Sequence, residues 1–321
     1  MTFLRGLFVY WASHSLPRFL LRPVYQCIFG STRVLRTGLA GLMASSVLLY
    51  SQQACSHSDT SPQRIISLAP HITEMVFSAG AGNKLVGVVD YSDFPKEALE
   101  IERIGKYNAI NIEKIIQINP DLIIAWQSAN RPKDIEKLKK LGFKVLFSNP
   151  IKLNDIATEI RFFGETLGTQ NQANTVAKKL EKQLDTLHHQ YQSKARVTAF
   201  YQIWNAPLMT INGEQFISQA LTLCGAQNVY ATLPLLAAEV NIESVIEKNP
   251  DTILIGGEKQ MQQGWLKDWQ RWNTLSAVKN TQLHLLKADT FQRPTQRFIE
   301  GLSGLCQTLN TVRESKQQQA N

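Results

Sequence analysis

The residues of this chain best equipped for molecular recognition are aromatic rings placed where aliphatic runs end. Ala69-Pro70-His71 follows RIISL, Tyr91 follows LVGVVD, Trp126 closes DLIIAW, and Trp204 lies just beyond VTAFYQI. Gly256-Gly257 takes the corresponding place after DTILI, and Asp289 with Arg293 follows TQLHLL. Tyr107, between a strand near Ile104 and a helix from Asn111, adds a further ring to the rim. Rings opposite bare backbone suit a large flat ligand with apolar faces and polar edges. Each buried aromatic removes roughly 150 to 250 Å² from water, several kcal/mol at about 25 cal/mol/Å² before association costs are subtracted. Asp289 can accept from edge amides and Arg293 can donate to carbonyls. Taken singly, each ring has a plainer account as a core aromatic, and Asp289 with Arg293 as a solvent-exposed i,i+4 ion pair. The clustering at strand ends is what argues for a site.

Other chemistries find less support. The histidines are His14, His57, His71, His188, His189 and His284, and only His71 falls at the predicted site; one histidine makes a weak metal site, so no metal is expected. There is no G-x-G-x-x-G after the first strand, no Walker sequence and no G-x-S-x-G. No serine or cysteine has a plausible histidine partner beside it, and Glu74 reads as a helix-face residue. A nucleotide-dependent α/β enzyme is the alternative of a different class, because such lobes host many reactions.

The elements that must position these residues are short aliphatic runs alternating with amphipathic segments, which read as βα units of a parallel sheet covered on both faces. One set spans residues 62–153 and a second 194–312. Between them, 154–193 carries no strand signal. Val176, Leu180, Leu184 and Leu187 form one stripe at helical spacing, so one long helix joins the lobes as a stiff strut. A polar tail is expected over 313–321. The fold class is therefore α/β: two Rossmann-like lobes with parallel sheets, joined by one long α-helix, with the ligand cleft between them at the carboxyl ends of the strands.

An internal echo supports two related lobes. NIEKIIQINPDLII, Asn111 to Ile124, recurs as NIESVIEKNPDTIL, Asn241 to Leu254, at an offset of 130 residues. In each copy Asn caps a helix, Glu stands in its first turn, and Asn-Pro-Asp ends it before a strand. AGAGN at Ala79 and CGAQN at Cys224 form a weaker second pair. Glu113 and Glu243 are thus equivalent acidic knobs, one per lobe, as a two-fold symmetric partner needs to dock a pseudo-symmetric monomer. The plainer account is that each favours its own helix start by a few tenths to about 1 kcal/mol.

Composition bounds the rest. The chain has 321 residues, 44% hydrophobic and 19% charged, enough for a sizeable core. Its net charge of +8 arises partly from residues 1–58, which hold five arginines and no acid; from Cys55 onward the balance is only +3. That excludes a polyanion-binding composition, so no nucleic-acid partner is expected. Arg33 and Arg36 precede TGLAGLMASSVLLY, an uncharged run of secretory h-region length, making 1–55 a leader and the periplasm the expected location. Cys55, just beyond it, stands where a lipoprotein carries its acylated cysteine, with Ala54 suited to that signal and Gln52 and Gln53 not. Cys224 and Cys306 make one candidate bridge, contributing about 3 to 5 kcal/mol if unstrained; two buried free thiols are the other reading.

RIISLAPHITEMVFSAGAGNKLVGVVDYSDFP, NIEKIIQINPDLIIAW and WNTLSAVKNTQLHLL resemble the single-helix-linked substrate-binding proteins of bacterial ABC importers, above all their cobalamin-binding members. The similarity runs from about Arg64 to Leu309. It implies delivery of a corrinoid, bound as cargo rather than cofactor, to a membrane-embedded permease dimer with ATPase subunits, by a monomer without enzymatic activity. It makes Tyr91 and Trp126 corrin-contacting rings and Asp289 and Arg293 contacts to the corrin edge. Tyr107 stands where the family has a tryptophan, His71 where a small residue nears the ligand, and Trp204 close to a cleft phenylalanine. The loop TLPLLAAEV lacks a further tryptophan. These departures keep haem, siderophore and metal cargoes open as alternatives. Cys224 and Cys306 match a bridged pair, and Glu113 and Glu243 match the residues that meet arginines on the permease.

Overall fold

The computed structural model describes residues 61–320. The leader, with Cys55, lies outside the described residues. In chain order come β1 (Ile65–Ser67), α1 (Pro70–Ser78), β2 (Leu85–Val88), β3 (Gly105–Lys106), β4 (Ala109–Ile110), α2 (Ile112–Ile118), β5 (Leu122–Trp126), α3 (Pro132–Lys140) and β6 (Val145–Ser148). Two helices follow, α4 (Leu153–Leu167) and α5 (Gln170–Tyr191). The second set comprises β7 (Val197–Gln202), β8 (Met209–Ile211), α6 (Phe216–Leu223), β9 (Ala226–Asn228), β10 (Ala237–Glu239), α7 (Ile242–Lys248) and β11 (Thr252–Ile255). It ends with α8 (Lys259–Gln270), α9 (Ser276–Lys279), β12 (Leu283–Leu285), α10 (Ala288–Phe291) and α11 (Gln296–Ala320).

The sheets run β2-β1-β5-β6 and β9-β7-β11-β12, all parallel. The first strand of each set lies between the second and third, so both lobes have one topology. The sequence echo thus falls on matching elements, α2–β5 and α7–β11. Its residues act alike in both copies. Asn111 Oδ1 accepts from the Lys114 amide at 3.0 Å, and Asn241 Oδ1 from the Ser244 amide at 2.8 Å. Asn119 and Asn249 close the helices in the left-handed region, at φ 50° and 42°, a conformation asparagine tolerates better than most residues. Asp121 accepts from the amides of Gln63 and Arg64 at 2.9 Å each, and Asp251 from the amide of Thr198 at 2.7 Å. The motif therefore does more than stop a helix: its carboxylate fastens the start of the neighbouring first strand.

One buried cluster runs through both lobes, from Ile65 and Ile124 through Ile160 and Leu184 to Tyr201 and Leu309, while separate clusters cover the outer face of each sheet under α2–α3 and α7–α9. The predicted stripe on α5 faces the shared cluster; Leu180, Leu184 and Leu187 are buried and Val176 packs against it. At about 1.5 Å per residue the 22-residue α5 is roughly 33 Å long. The first half of the 154–193 stretch is itself a helix, α4, which ends where Gly168 takes φ 74° and the chain turns into α5.

Two expectations are corrected. Residues 313–320 are not a polar tail: α11 continues through them because Arg313 is buried and donates to the carbonyls of Ala195, Cys224 and Gly225, while Lys316 pairs with Asp251. Glu74 is not an exposed helix-face residue, since α1 is buried all round from His71 to Val76. Cys224 and Cys306 are disulfide-bonded, tying the end of α6 to the middle of α11. Among the described residues no helix is long and apolar enough to cross a membrane.

Candidate functional site

The site residues stand on strand ends and the turns that follow them. Trp126 is the last residue of β5. Its ring lies 4.8 Å from His71, edge to face, and 5.8 Å from Tyr107, centroid to centroid. Sequence patterns did not single out what holds this trio. The side chain of Asn130, 5% exposed, accepts from the Trp126 amide at 2.6 Å and donates to the carbonyls of Leu68 and Tyr107 at 3.0 and 2.7 Å. One amide group thereby joins the ends of β1 and β5 to the Tyr107 turn. Gln262 does the same for the other sheet, donating to the carbonyls of Ile255 and Leu286 at 3.0 and 2.6 Å.

His71 is 3% exposed and its Nε2 has no hydrogen-bond partner. Burial, reinforced by the charge of Arg293, pushes its pKa down to about 3, so the imidazole is neutral at physiological pH. Tyr91 is 53% exposed and takes φ 65° in the turn after β2. That turn is anchored by its neighbours. Ser92 is fully buried, with its hydroxyl accepting from Thr73 Oγ1 at 3.1 Å and its carbonyl from Arg103 at 3.0 Å.

In the second lobe Trp204 packs edge to face on Trp265 at 5.8 Å and donates from its indole to the Ala206 carbonyl. Gly256 and Gly257 are buried: a Cβ on the first would lie 2.5 Å from the Tyr201 hydroxyl, and on the second 2.7 Å from Trp265. Close packing within the lobe therefore demands both glycines. Asp289 is exposed on α10. Arg293 does not form the i,i+4 pair with it. Its Nη1 donates to Glu74 Oε1 at 3.0 Å and to Asp93 Oδ1 at 2.6 Å, both in the first lobe. These bonds bring the carboxyl ends of the two sheets to the same region. Although burial opposes charge at both groups, the pairing raises the pKa of Arg293 and holds that of Asp93 below the ordinary carboxylate range.

The structure thus joins His71, Tyr107 and Trp126 directly, and reaches Arg293 through Glu74 and Asp93. Trp204 and Asp289 belong to the second lobe. Glu113 and Glu243 are exposed at matching positions in the first turns of α2 and α7. Among the described residues no group of three or more His, Cys, Asp and Glu side chains is placed to hold a metal ion.

Two parallel α/β lobes with facing strand ends and a helix between them define a two-lobed solute-binding protein. A sequence profile of the periplasmic binding protein family matches residues 65–290, and this chain belongs to that family. It is 37% identical over 253 residues to a vitamin B12-binding protein of Vibrio cholerae, covering 78% of this chain and 91% of the relative. It is 33% identical over 254 residues to one of Vibrio campbellii, covering 79% and 92%. The crystal structure of the periplasmic vitamin B12-binding protein BtuF of Vibrio cholerae superposes with a TM-score of 0.72 at 36% identity, over 79% of this chain and 98% of that one. The haem-binding protein RhuT of Roseiflexus shares the fold, with a TM-score of 0.69 at 19% identity over 78% and 99%.

Proposed function

We propose that this protein captures cobalamin between its lobes in the periplasm and delivers it to the permease dimer of an ABC transporter, acting as a monomeric carrier rather than an enzyme. The observation that carries the reading is the cluster of Trp126, Tyr107 and His71 beside Arg293, in a chain similar over most of its length to vitamin B12-binding proteins. A corrin ring has apolar faces, which Trp126, Tyr107, Tyr91 and Trp204 would cover, and amide-bearing edges, which Arg293 and Asp289 would meet. Neutral His71, edge to face with Trp126, would complete this wall without adding a charge to be buried under the cargo. Glu113 and Glu243 would dock the two halves of the permease. Export through the leader, with Cys55 as a lipid anchor, would keep the carrier at the membrane it serves.

The test is a titration followed by tryptophan fluorescence. The expected result is saturable one-to-one binding of cobalamin, weakened at least about tenfold in Trp126→Ala, as for a buried aromatic anchor. Saturation by haem with no response to cobalamin would overturn the choice of cargo.

A further inference from the structure

Glu74 belongs to no site read from the sequence, yet among the described residues it is the most deeply buried acid. It is 2% exposed, on α1 of the first lobe, and every bond it makes across the lobes is to an arginine of the second. Arg297 binds it in a bidentate manner, Nε to Oε2 at 2.9 Å and Nη2 to Oε1 at 2.6 Å, and Arg293 adds Nη1 to Oε1 at 3.0 Å. The same two arginines also grip the turn that carries Tyr91. Arg293 holds Asp93 through Nη1 and Nη2 at 2.6 and 3.4 Å, and the guanidinium of Arg297 lies 3.9 Å above the ring of Phe94.

We infer that Glu74 is a positioning residue for cargo binding that acts through Arg293: it fixes that guanidinium against the wall of the cleft and, by the bonds of Arg293 to Asp93, against the turn that carries Tyr91. The donor inventory favours this role. Of the five N–H donors of a guanidinium, both on Nη1 and one on Nη2 of Arg293 are engaged with Glu74 and Asp93. The Nε–H and the second Nη2–H remain for carbonyls on a cargo edge. Arg293 therefore meets cargo without releasing either acid, and its orientation is settled before cargo arrives, which lowers the ordering cost of binding. Without Glu74, two half-buried guanidiniums would share Asp93 alone, and Arg293 would follow that more exposed acid toward solvent.

The inference rests on the cobalamin reading, and a double-mutant cycle on cobalamin affinity separates the two. Absence of binding by the unmodified protein would remove the functional reading itself. Given binding, Glu74→Gln and Arg293→Met are each expected to weaken it about tenfold, and the pair together by about tenfold rather than about a hundredfold, because both act through one contact. Multiplying effects, or unchanged affinity in a folded Glu74→Gln protein, would overturn the positioning role. Should Glu74→Gln not fold, Glu74→Asp keeps the charge but draws the carboxylate back. Its affinity should fall in the Arg293 background of the unmodified protein and stay level in the Arg293→Met background. A fall in both backgrounds would equally overturn the role.

Discussion

The two lobes repeat one topology, and they differ at the carboxyl ends of their sheets. Their outer ends are nearly interchangeable: an asparagine caps α2 and α7, a left-handed asparagine closes each, and an aspartate fastens the first strand. Even the buried amides that tie the strand ends correspond, with Asn130 after β5 and Gln262 after β11. At the strand ends the first lobe carries a ring trio and two acids, Glu74 and Asp93, while the second carries two arginines, a tryptophan backed by Trp265, and glycines demanded by packing. Symmetry is kept where a symmetric partner would dock and lost where an asymmetric cargo would sit.

The largest effect is expected at the symmetric ends of the lobes. Reversing charge at Glu113 and Glu243 together should reduce cobalamin uptake in a reconstituted transporter to background while leaving cargo affinity intact. The single reversals should cost about the same as each other; a large inequality would show that the knobs are not equivalent partners.

A smaller effect is expected from the asymmetric end. His71 has a pKa of about 3 against 6.5 when unburied, so the unfolded chain binds the extra proton between those values. Stability should therefore be fully present above about pH 6.5 and fall as pH drops toward 3, by on the order of 3 to 5 kcal/mol across the window. His71→Leu should flatten that slope in thermal melts taken from pH 7 to pH 4. His284, also lowered by burial, should leave a residual slope of the same sign in the His71→Leu protein.

Replacing Asn130 or Gln262 by leucine should each destabilise by about 2 to 4 kcal/mol in urea unfolding, because buried carbonyls lose their donor. Only Asn130→Leu should also weaken cargo binding, since it alone positions Trp126 and Tyr107. The smallest test is at the caps. Asn111→Ala and Asn241→Ala should each cost about 1 kcal/mol, and by similar amounts if the echo is structural in the same way twice.

Periodicity made the architecture legible: aliphatic runs marked the strands, the Val176 to Leu187 stripe marked α5, and the repeated Asn-Pro-Asp exposed the duplication. Rings at strand ends pointed to Trp126 and Tyr107 because those positions follow directly from the strand pattern. What stayed hidden depends on partners distant in sequence. Glu74 meets arginines more than 200 residues away, and nothing within α1 announces them. The one available signal was an acid in a helix otherwise poor in charge. Asn130 was invisible for a related reason, since its three partners lie on three different segments. The polar composition after Val312 concealed a helix because one buried arginine, bonded to three carbonyls, anchors it.

Whether the unlike inner ends of two like lobes hold one planar cargo is decided by a crystal structure with cobalamin bound. The expected result is a single corrinoid with one face on Trp126, its amide edge at the remaining donors of Arg293, and Glu74 still paired with Arg293 and Arg297. A corrinoid seated away from the strand ends, or contacting one lobe alone, would contradict it.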